Sequence, residues 1–156
     1  MTFLHRRSPL ALFACALVLC CLCCACRGAE TSSDVRGAPG ATALAGVGEG
    51  GLYAFELSAS PDPPIVGELF RVVTQIRDAR TGAPVEGAAF TLSAAMPEHG
   101  HGMTSAPEHR DLGGGDYLSE GMKFHMPGTW TITARAARAG REDRITLRFE
   151  QPPRAR

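Results

Sequence analysis

From Leu52 to Glu150 the chain alternates apolar and polar side chains with a period of two, and no stretch settles into a helical period. In Leu52 to Ser58, Tyr53, Phe55 and Leu57 oppose Leu52 and Ala54. Between Glu68 and Asp78, Phe70, Val72, Thr74 and Ile76 share one face, and Leu69, Arg71, Val73 and Gln75 share the other. Val85 to Ala95, with Phe90 and Leu92 on one face, Tyr117 to Met126, Thr129 to Arg138 and Glu142 to Glu150 complete the set. Turn residues separate these runs: Pro61, Pro63 and Pro64, then Asp78 to Pro84, then a short hairpin at Ala139-Gly140-Arg141. Short strands at this spacing in about 100 residues predict an all-β fold, an immunoglobulin-like antiparallel β-sandwich of about seven strands. A small barrel is the alternative.

A disulfide scaffold is excluded by the placement of the cysteines. All six (Cys15, Cys20, Cys21, Cys23, Cys24 and Cys26) lie in the first 26 residues. The body therefore has no disulfide, no thiolate zinc site and no thiol nucleophile, and must be held together by its core. The first 26 residues read as an export signal: His5, Arg6 and Arg7, then an uncharged apolar run from Leu10 to Cys26. That run falls short of the about 20 residues that span a bilayer comfortably. Ending in small residues and a cysteine, it resembles an imperfect bacterial lipobox, with Leu22 one position too far from the acceptor. Cys26, after Ala25, is the expected lipid attachment point, with Cys21 and Cys24 as alternatives. Residues 27–50, rich in Gly, Ala, Ser and Thr, read as a flexible linker. The compact domain is expected at 51–150 and a disordered tail at 151–156. The chain is thus expected in the cell envelope, exported and facing the periplasm, attached to the membrane by its N-terminal lipid or signal anchor.

Charge removes another class. Sixteen Lys and Arg balance sixteen Asp and Glu, and two of the basic residues lie in the signal segment, so the body is mildly acidic. A nucleic-acid partner is not expected.

Beyond the signal segment, every His and Met falls between Met96 and Met126. The densest part is Met96-Pro-Glu-His-Gly-His-Gly-Met103, where Pro97, Gly100 and Gly102 predict a loop. His99, His101 and Met103 lie two apart, so an extended loop would aim them the same way. With His125 they form a candidate metal site, and His109 is an alternative fourth ligand. Imidazole and thioether are neutral donors that suit copper, whereas zinc gains little from thioethers. The other reading is that Gly100 and Gly102 shape a crossover whose histidines hydrogen-bond its backbone. Met122, Phe124, Met126 and Trp130 are expected in the core, Lys123 and His125 on the opposite face, and His109 in solvent. Glu98 is a candidate acceptor from a ligating imidazole.

The segments Ala95-Met96-Pro97-x-His99-Gly100-His101-Gly102-Met103, Gly115-Asp116-Tyr117 and Gly121-Met122-x-Phe124-x-Met126-Pro127-Gly128-x-Trp130 resemble the YtkA-like domain, over about residues 60 to 150. The resemblance implies an exported or membrane-anchored immunoglobulin-like module, related to the FixH-type proteins met near copper handling and cytochrome oxidase assembly. Two functions compete. One is a non-enzymatic copper chaperone or buffer that passes its ion to an envelope protein partner. The other is a structural or interaction module that binds no metal. No Ser-His-Asp or paired-carboxylate arrangement recommends an enzyme.

Overall fold

The computed structural model describes residues 44–154. The signal segment, Cys26 and linker residues 27–43 lie outside the described residues, as do 155–156. The alternating runs become strands in two antiparallel sheets. The first sheet has the order β1 (Leu44–Val47), β2 (Tyr53–Ser60), β3 (Leu69–Asp78), β7 (Asp116–Lys123), β6 (Glu108–Gly113). The second has the order β5 (His101–Gly102), β4 (Ala89–Met96), β8 (Gly128–Arg138), β9 (Arg141–Gln151). The alternation places Tyr53, Phe55 and Leu57 of β2 and Phe70, Val72 and Ile76 of β3 in the core. Opposite them are Phe90, Leu92 and Met96 of β4, Trp130 and Ile132 of β8 and Ile145 of β9. Each large apolar side chain so buried contributes about 1.5–3 kcal/mol, which is how a thiol-free domain of this size holds together.

In β7 the inward parity changes from Tyr117 and Ser119 to Met122 and then Phe124. The cause is a bulge. Phe70 pairs with Met122 and Arg71 with Glu120, leaving Gly121 as the extra residue, at φ 85°. Glycine takes that conformation without strain. Without the bulge, Met122 and Phe124 would point out of the sandwich.

Three of the nine strands among the described residues lie outside the six alternating runs of the sequence. β6 carries charged residues and one half-buried side chain, His109, so it showed no apolar alternation. β5 has only two residues. β1 lies inside the expected linker, which corrects the boundary at residue 50: residues 44–47 already form a strand of the sheet. β1 pairs with β2, and the Glu49 N–H donates to Arg144 O at 2.7 Å. The small residues that suggested a tether serve close packing here, since a Cβ on Gly48 would collide with the Asp143 carboxylate. The expected disordered tail also needs correction for 151–154. Gln151 closes β9 opposite Gly128, is buried, and donates through Nε2 to Pro64 O at 2.8 Å. Arg154 Nη2 donates to Glu68 Oε1 at 2.6 Å.

Pairing registers set two ends. One carries the 48–53 turn and the β8–β9 hairpin, whose loop residues Ala139 and Gly140 both have positive φ. There the buried Asp143 carboxylate accepts the N–H groups of Gly50 (2.7 Å), Leu52 (2.8 Å), Tyr53 (3.1 Å) and Arg144 (2.9 Å). At the same end Tyr117 Oη donates to Val85 O at 2.7 Å and accepts the Ala88 N–H at 2.9 Å. The other end carries the β4–β5 turn, the crossover from β7 to β8 and the 61–68 segment.

Candidate metal-binding end

β4 runs inward to buried Met96 and stops because Pro97 follows. Pro97–His99 forms one 3₁₀ turn, closed by the Gly100 N–H donating to Pro97 O at 3.2 Å. Gly100, at φ 69°, reverses the chain into β5, where His101 pairs with Met96 and Gly102 with Ala95. Met103 continues the return, its N–H donating to Ala94 O at 3.1 Å. The expected loop is thus a tight hairpin. Its tip exposes His99, its returning arm half-buries His101 and Met103, and Met103 packs against the core.

The β7–β8 crossover approaches from the other sheet. Phe124 turns inward and accepts the Gly67 N–H at 2.8 Å, while Met126 O accepts Trp130 Nε1–H at 3.1 Å. Between these fixed points His125 is half-buried. Its ring centroid lies 4.9 Å from that of His101, and His101 lies 5.7 Å from His99. Trp130 walls the row, 5.3 Å from His125 and 6.3 Å from His101, both edge to face. Behind it Trp130 stacks on Phe124 at 4.7 Å.

The structure therefore brings together three of the four expected ligands, His99, His101 and His125, across two sheets. They form a file rather than a ring. Among the described residues, no three His, Cys, Asp or Glu side chains are gathered closely enough to hold an ion. His125 Nδ1 is buried without a hydrogen-bond partner, and so is Ser105 Oγ in the segment after Met103. An imidazole nitrogen about 2 Å from a metal places its ring centroid about 3 Å away, so two rings on one ion have centroids within about 6 Å. Each neighbouring pair in the file meets that limit.

Met122, Phe124 and Trp130 are core residues, as the alternation predicted, and Met126 is half-buried against them. Glu98 is exposed at the hairpin tip. His109 corrects another expectation. It lies not in a solvated loop but on β6, half-buried, its edge toward Phe90 at 5.6 Å. Nε2 accepts the Leu92 N–H at 3.3 Å, which puts the proton on Nδ1 for Ser119 Oγ at 2.9 Å. It joins the two sheets as a neutral ring, and burial lowers its pKa below the ordinary histidine value.

Against this geometry the comparison with known families is direct: the YtkA-like family matches residues 45–135, more than half of the chain. The chain belongs to the YtkA-like family. No curated protein and no solved structure matches it. The family match begins one residue into β1, inside the stretch that composition alone assigned to a linker. It spans the whole file of imidazoles and Trp130. What sequence reasoning missed was the part of Trp130, whose place in the core was evident but whose contact with His101 and His125 depends on the sheets meeting.

Proposed function

We propose that this YtkA-like domain is a non-enzymatic copper carrier of the cell envelope, exported and held at the membrane through Cys26 or the signal segment. Copper is its cargo, to be passed to an envelope protein partner. The observation that carries the reading is the His101–His125 pair, centroids 4.9 Å apart, with His125 Nδ1 buried and unpartnered. A polar atom in that state costs about 1–3 kcal/mol, and a metal–nitrogen bond would remove the cost.

The donor chemistry agrees. Met103, two residues after His101, and Met126, next to His125 in the chain, are half-buried thioethers against the core, and the described residues contain no cysteine. Two imidazoles and a thioether make a neutral set suited to Cu(I), and a singly charged ion is the less costly one to seat against Trp130 and Phe124. Membrane attachment rests on the apolar run ending at Cys26. Among the described residues, no helix is long and apolar enough to cross a membrane.

The test is an equilibrium competition for Cu(I) against a colorimetric chelator. It uses the full-length chain with its six cysteines alkylated, so that only the domain's donors compete. Binding by the parent and its loss in the His101→Ala/His125→Ala variant are expected. Equal, weak binding by both would leave the interaction-module reading in its place. For the anchor, incorporation of labelled palmitate in a bacterial host should disappear in Cys26→Ser.

A further inference from the structure

Exposure is graded along the file of imidazoles. His99 sits on the solvent-exposed tip, His101 is half-buried, and His125 is half-buried with Nδ1 shut off from solvent. His101 stands between the other two, 5.7 Å from one and 4.9 Å from the other. The three do not converge on a point, yet each neighbouring pair is close enough to share an ion.

Resting on the copper reading above, we infer that the ion moves along this file by pairwise ligand exchange. It is captured between His99 and His101, then held between His101 and His125. With Nδ1 turned to Gly102 O at 3.3 Å, His101 binds through Nε2 and keeps that bond throughout, while the bond to His99 breaks and the bond to His125 forms. All three rings serve as neutral donors, so no electron is transferred. Release to a partner reverses the order, with His99 the last contact and the first that an incoming ligand displaces.

The backbone suits this division of labour. His99 is joined to the sheet through Gly100 at φ 69°, on a 3₁₀ turn with no buried residue. His125 is held on a crossover tied down at Phe124 and Met126. The exposed Glu98 beside His99 places a negative charge where a cation arrives. His99 therefore governs the rate of transfer, and the His101–His125 pair governs affinity.

The experiment loads the alkylated full-length chain with Cu(I) and mixes it with excess chelator. The fluorescence of Trp130, the one tryptophan in the chain, follows the site. His99→Ala should slow transfer on the order of tenfold and leave equilibrium affinity within about threefold of the parent. His99→Met, which restores a donor at the tip, should recover the rate. His125→Ala should lower affinity about a hundredfold. Two results overturn the exchange route: His99→Ala weakening affinity as much as His125→Ala, or changing neither rate nor affinity. If neither His101→Ala nor His125→Ala alters copper binding, the copper reading itself fails, and the route with it.

Discussion

At the end of the sandwich where β8 turns into β9, the Asp143 carboxylate accepts four backbone N–H groups and Tyr117 Oη both donates and accepts. At the opposite end, His125 Nδ1 and Ser105 Oγ are buried with no partner. The first end has most of its polar groups spent on holding the chain, with Asp116 Oδ1 the exception. The other keeps His125 Nδ1 uncommitted beside an aromatic wall, at some cost in stability, while His101 Nδ1 lies 3.3 Å from Gly102 O. An unpartnered buried atom marks a candidate site only together with neighbouring donors, since Thr74 Oγ1, Asp116 Oδ1 and Gln151 Oε1 are also buried without a partner away from the imidazoles.

The sharpest way to break this contrast is to remove the clamp. Asp143→Ala should destabilise the domain by on the order of 3 kcal/mol, because four N–H groups lose a charged acceptor. The shift in urea midpoint measures it. Burial alone would raise the Asp143 pKa, but hydrogen bonds from Gly50, Tyr53, Leu52 and Arg144 outweigh it and hold the carboxyl below its ordinary value. The clamp is therefore present above the unfolded-state pKa of about 4 and lost as pH falls through the lower folded value.

A substitution at the other end should have the opposite sign. His125→Leu removes the unpaired nitrogen and keeps apolar contact with Trp130, so the metal-free domain should gain about 1 kcal/mol. The same denaturation assay reads it, and a loss of stability would show that His125 is structural.

The smallest effect belongs to His109, which has an internal partner on each ring nitrogen. Its folded pKa is lowered, so its contribution is complete above the unfolded value of about 6.5 and fades as pH falls through the folded value. Denaturation midpoints should therefore decline from pH 7.5 to 5.5 more in the parent than in His109→Gln. Equal declines would remove His109 as their cause.

Much of this fold was legible in the sequence because alternation is a local signal. β2, β3, β4, β8 and β9 followed from it, and so did the core placement of Phe124 and Trp130. β1 was hidden because small residues that pack closely look like a linker, and β6 because this edge strand exposes five of its six residues and carries charge at Glu108, Arg110 and Asp111. The Asp143 clamp could not be read, since its acceptor and its Gly50 donor stand 93 residues apart. The candidate site was half legible. The spacing of His99, His101 and Met103 drew attention to the hairpin, but a 3₁₀ turn replaced the extended loop. The approach of His125 depends on the Gly121 bulge and on two sheets meeting, which no local pattern records.

Copper K-edge X-ray absorption of the Cu(I)-loaded, cysteine-alkylated full-length protein shows whether His101 and His125 hold the ion. Two imidazole nitrogens at about 2.0 Å and one thioether sulfur at about 2.3 Å are expected, with the imidazole scattering lost in His101→Ala/His125→Ala. A spectrum without imidazole scattering, or one unchanged by that double substitution, would contradict that coordination.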